Sequence, residues 1–149
     1  MASVFIHDTD FKNKVFRKEF LDISKLDYSL ESLKQIDEYL EKIRLVISID
    51  TDDYFFTVLR AGAYCGEVIR KEVGEENLAW IAYSSIVNEN EKLENKQQNL
   101  DSSYILSTKD SLRLSPMSKV QKYILNGEED SLYSYAQTFV DQIFRKENT

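Results

Sequence analysis

Two carboxylates sit where a carboxylate needs a reason. Asp37 falls four residues after Leu33 and three before Leu40, on the edge of an apolar stripe with helical spacing. Glu67 follows Gly66 directly, inside the most apolar helical stretch of the chain. A carboxyl group beside a packed face must be hydrogen-bonded, paired or neutralised. Two such groups on adjacent helices would form the acid and base of a hydrolase, or hold a divalent cation through oxygen ligands. The plainer alternatives are that each points to solvent, bonds a tyrosine such as Tyr64, or pairs with Arg60 or Arg70.

Trp80 is the only tryptophan. It is a residue type enriched at binding hot spots and equally one that fills cores. Asp37, Tyr64, Glu67 and Trp80 are therefore the candidate ligand-binding residues, lining a pocket between a central helix and a small sheet. No catalytic residue and no metal ligand is assigned, and no cofactor is implied. His7 is the only histidine and lies near the chain start, so a Ser–His or Cys–His relay would have to use it. The four glycines, Gly62, Gly66, Gly74 and Gly127, do not make a phosphate-cradling loop. Cys65 is the only cysteine, which excludes a disulfide framework and a cysteine-based zinc site. It reads as a small buried filler.

The elements that must position these groups are legible as patterns. Phe11, Val15, Phe16, Phe20 and Ile23 predict a helix over 10–23. Leu30, Leu33, Ile36, Leu40 and Ile43 predict a second over 30–45, entered through Asp27 or Ser29 as cap. Residues 46–49 are β-branched or serine and either extend this helix or leave it. The cap-rich 50–53 opens a third helix, 54–73, ending at Gly74. Gly62 and Gly66 are four apart and stack on one side of it. They predict close approach of a neighbouring backbone, with the 30–45 helix as the expected neighbour.

From 79 the pattern turns to strand: 79–87, then 103–108, then 111–114, with a polar loop over 88–101. The spacing favours antiparallel pairing. Ser115-Pro116 is a helix start, and Asn126-Gly127 a stop. Asp130-Ser131 opens a last helix with Leu132, Tyr135, Ala136, Phe139 and Ile143 on its apolar face. The expected fold is α+β: three N-terminal helices, a small antiparallel sheet of two to four strands, and two C-terminal helices, all in a single domain over 1–149.

The 149 residues carry 26 acidic and 19 basic side chains, a formal charge of −7. That field repels a nucleic-acid backbone and anionic lipid and attracts a basic protein. The runs 89–94 and 128–130 add to it, either as solvated segments or as partner contacts. No leader pattern and no membrane-spanning run is seen, so a cytoplasmic setting is expected.

The ordered motifs at 27–33, 36–40, Gly62-Ala63-Tyr64-Cys65-Gly66-Glu67-Val68-Ile69, Trp80, 116–123 and 126–132 resemble a family of small uncharacterised bacterial proteins. The resemblance covers about residues 27–135. It implies a bacterial protein, marks Asp37, Gly62, Gly66, Glu67, Trp80 and Gly127 as pattern positions, and supplies no activity. The leading functional expectation is a non-enzymatic interaction protein that binds a basic protein partner, by analogy of size and charge with immunity proteins that neutralise toxins. The alternative is a small-molecule or metal-binding domain using the pocket named above. No nucleic-acid or membrane partner is expected, and the sequence does not fix an oligomeric state.

Overall fold

The computed structural model describes residue 5 and residues 14–82 and 104–147. Within them the chain forms helices α1 (Leu33–Ile43) and α2 (Asp52–Val73), strands β1 (Ala79–Ala82), β2 (Tyr104–Ser107) and β3 (Arg113–Leu114), and helices α3 (Pro116–Asn126) and α4 (Leu132–Glu147). The architecture is α+β, with four helices and a three-stranded antiparallel sheet among the described residues. His7, the expected loop over 88–101 and the second half of the expected 79–87 strand lie outside the described residues.

The helix expected over 10–23 is a correction. Over 14–23 there are only isolated 3-10 turns, at Lys18–Phe20 and Ile23–Lys25. Arg17 adopts φ 48°, ψ 51°, a left-handed conformation that interrupts any helix passing through it. The carbonyl of Phe16 accepts from the Tyr39 hydroxyl at 2.5 Å instead of from a helical amide. The Asp22 side chain accepts from the Ser24 amide, which closes a local turn. The buried residues of this segment are Val15, Leu21 and Leu26, while Ile23 of the expected stripe is exposed.

α2 is the centre of the fold. It packs against α3 and α4, and α1 also packs on both of those helices. Thr51 caps its start by accepting from the Tyr54 amide, and Asp52 and Asp53 place negative charge in its first turn. Ser115 caps α3, with Pro116 in the first turn as the sequence predicts. At the far end Gly127 takes φ 90°, and its amide donates to the Tyr123 carbonyl at 2.7 Å. β1 pairs with β2 through Trp80–Leu106 and Ile81–Ile105, and β2 pairs with β3 through Leu106–Leu114.

The expected glycine-sized gaps exist, but α1 does not fill them. A Cβ on Gly62 would lie 2.9 Å from the Met117 Cα of α3. A Cβ on Gly66 would lie 2.2 Å from the Trp80 ring. The glycines therefore admit the start of α3 and the indole of β1. The reason is topological: the sheet feeds straight into α3, so both arrive on the same side of α2.

Candidate functional site

The four residues singled out by sequence fall into three hydrogen-bonded settings. Asp37 reaches from α1 to the start of α4. Its carboxylate accepts from the Ser131 hydroxyl at 2.7 Å, the Leu132 amide at 2.8 Å and the Tyr133 amide at 3.3 Å. It is a capping group supplied from another helix, and the macrodipole of α4 favours its charge. Burial nevertheless pushes its pKa up, against the lowering effect of Ser131 and the two amides.

Tyr64 projects from α2 toward the segment that precedes α1. Its hydroxyl accepts from the Tyr28 amide at 3.0 Å and shares a hydrogen bond with the Ser32 hydroxyl at 2.8 Å. Its ring stacks on Tyr28, centroids 4.8 Å apart. Tyr28 sits at φ 62°, a left-handed conformation these contacts hold in place. Burial pushes the Tyr64 phenol up, so it stays a neutral hydrogen-bonding group.

Glu67 and Trp80 are brought together. The indole Nε1 donates to Glu67 Oε1 at 2.8 Å, and Arg70 Nη1 donates to both carboxylate oxygens at 2.9 and 3.1 Å. Arg70 Nε reaches the Leu78 carbonyl at 2.9 Å, just before β1. This cluster ties the sheet to α2 through charge-assisted bonds. At Gly66 the indole ring fills the space between the central helix and the sheet. Among the described residues Asp37 and Glu67 share no hydrogen-bond partner, since one serves α4 and the other serves β1. Cys65 is buried with its thiol pKa pushed up by burial, which makes it a packing residue. Among the described residues no group of histidine, cysteine or carboxylate side chains is placed to hold a metal ion.

A cleft with a largely apolar lining lies elsewhere. It has a volume of 470 Å³ and runs between the α1–α2 connection and α3. One wall is Arg44, Ile47, Ile49 and Tyr54. The other is Ser118, Gln121, Lys122 and Leu125, which share one face of α3 at helical spacing, with Ile124 between the walls. Arg44 braces it. Its Nε donates to the Ile124 carbonyl at 3.3 Å and its Nη2 to the Leu125 carbonyl at 3.1 Å, at the negative end of α3. Glu41 lies 3.8 Å from the same guanidinium. Of the lining residues, Ile49 is 63% and Leu125 70% exposed, and in the same α1–α2 connection Leu45 is 79% and Val46 50% exposed.

Sequence reasoning passed over this place. Residues 46–49 fit either a helix extension or an exit, and nothing in their types says that they end exposed. Leu125 sits on a helix whose other large apolar residues are buried. The available signal was four apolar residues, Leu45, Val46, Ile47 and Ile49, packed into five positions just past the α1 stripe.

Comparison with protein-family models, with curated proteins and with solved structures finds no match to this chain. No described helix is long and apolar enough to cross a membrane.

Proposed function

We propose that this chain is an interaction protein that binds a basic protein partner, in the manner of an immunity protein, through the apolar surface around the 44–54 connection and the end of α3. The observation that carries the reading is that Ile49 and Leu125 stand in solvent on the two walls of one cleft, with exposed Leu45 and Val46 next to its lining residues Arg44 and Ile47 in the chain. Exposed apolar residues scattered singly need no explanation, whereas a contiguous group with a polar rim marks an interaction surface. The formal charge of −7 sets the sign of the partner, because it draws a basic protein and repels nucleic acid. The four residues first singled out serve this reading as scaffold: their polar atoms hold α4, the 28–32 turn and the sheet in place.

The test uses immobilised full-length protein beside an Ile49→Asp/Leu125→Asp variant, with extract of the native host. A basic protein retained by the first, released by salt and not retained by the second is the expected result. No retained protein at low salt, or equal retention by both, overturns the reading.

A further inference from the structure

The walls of the cleft differ in what they offer an occupant. The α3 wall is a helix face, so its backbone amides and carbonyls are used within the helix. The last carbonyls, at Ile124 and Leu125, accept from Arg44. An extended peptide laid here would bury its own amides and carbonyls against side chains, and unpaired backbone groups are costly. A helix carries its backbone bonds internally and brings only side chains to the contact. The stripe Ser118, Gln121, Lys122 and Leu125 spans about two turns, or roughly 10 Å, which is enough for a helix to lie alongside at a normal packing distance.

The charges around the cleft select among helices. Exposed carboxylates flank its lining: Glu41 beside Arg44, Asp50 next to Ile49, Asp52 and Asp53 just before Tyr54, and Glu128 and Glu129 after Gly127. Gly127 in turn lies against the Arg44 guanidinium, which puts the 128–129 pair at the same end. The cations in the lining are Arg44, already bound to the α3 carbonyls, and Lys122. Lys119, on the same helix, is paired with Asp130 at 2.7 Å.

We propose that the cleft receives one amphipathic basic helix of the partner protein, its apolar face on Ile47, Ile49, Tyr54 and Leu125 and its lysines or arginines facing the flanking carboxylates. This inference rests on the binding reading above and adds the form and polarity of the bound segment. The contact is the helix-in-groove mode of peptide recognition.

The test uses the full chain and three synthetic peptides: a leucine–lysine amphipathic helix, a scramble of the same composition, and a leucine–glutamate helix. Titration calorimetry reads affinity, and backbone amide shifts read location. The leucine–lysine helix is expected to bind at least ~10-fold more tightly than either control, with shifts concentrated at 44–54 and 118–125, and Ile49→Asp is expected to lower its affinity by a similar factor. Equal binding of the scramble, shifts centred elsewhere, or preference for the leucine–glutamate helix overturns the proposal. If the leucine–lysine helix fails while the host partner is still captured in an Ile49- and Leu125-dependent way, the helix inference falls and the binding reading stands. If capture ignores those residues, both fall.

Discussion

At the scale of single residues, the same carboxylate can suggest catalysis in sequence and serve as a cap in space. Asp37 is half-buried and holds three donors at the start of α4. Its pKa is raised above 3.8, chiefly by burial, so the folded state holds the proton more tightly than the unfolded chain does. The contribution of Asp37 to stability is therefore greatest below 3.8 and declines as pH rises from there through the raised folded value. Asp37→Asn removes that decline. It keeps one carbonyl acceptor, as the protonated acid does, so the variant is expected within about 1 kcal/mol of the wild type at low pH. Urea midpoints of the wild type and the variant, taken from below 3.8 to neutrality, measure the difference. A wild type that gains on the variant as pH rises would mean that the Ser131 hydroxyl and the two amides outweigh burial. The position of Asp37 on a stripe edge was readable in the sequence. Its partners lie more than ninety residues away, and no local pattern carries that information.

At the scale of elements, legibility followed periodicity. α1, α2, α3 and α4 each repeat apolar residues at helical spacing between caps, and each formed close to its expected bounds. The 10–23 segment has the same spacing and does not form the helix over 14–23, because Tyr39 and the left-handed Arg17 impose a path that propensity does not encode. The glycines of α2 were legible as close-approach sites, while the group that approaches was not. The Trp80 ring lies where a Cβ on Gly66 would be, so Gly66→Ala must displace the indole and strain its bond to Glu67. The expected loss is about 1–3 kcal/mol, after the ~1 kcal/mol that alanine gains in a helix interior. Trp80→Leu in the Gly66→Ala background removes the clash, so the double variant loses less than the sum of the singles. Chemical unfolding followed by far-ultraviolet circular dichroism gives the cycle. Strict additivity would show that the ring is not what limits the site.

At the scale of the whole molecule, charge and apolar surface divide the work of association. A field from −7 charges acts over about a Debye length, roughly 10 Å at 0.1 M salt, and so acts on encounter. Ile49 and Leu125 act only once surfaces touch, and so act on escape. Kinetics with the leucine–lysine helix should separate the two. Neutralising Asp50, Glu128 and Glu129 to their amides is expected to slow association by up to about tenfold at low salt and flatten its salt dependence, leaving dissociation nearly unchanged. None of the three is the cap of α1, α2 or α3, and the acceptors observed at the start of α4 are Asp37 and Ser131, so no observed helix cap is removed. Ile49→Ala is expected to leave association within about twofold and speed dissociation by about tenfold, since the loss of a central apolar contact appears mainly in the off-rate. Stopped-flow fluorescence with a labelled peptide reads both rates. If the amide variant changes dissociation and Ile49→Ala changes association, the carboxylates are the contact and the apolar group is not, which would move the interface off the cleft.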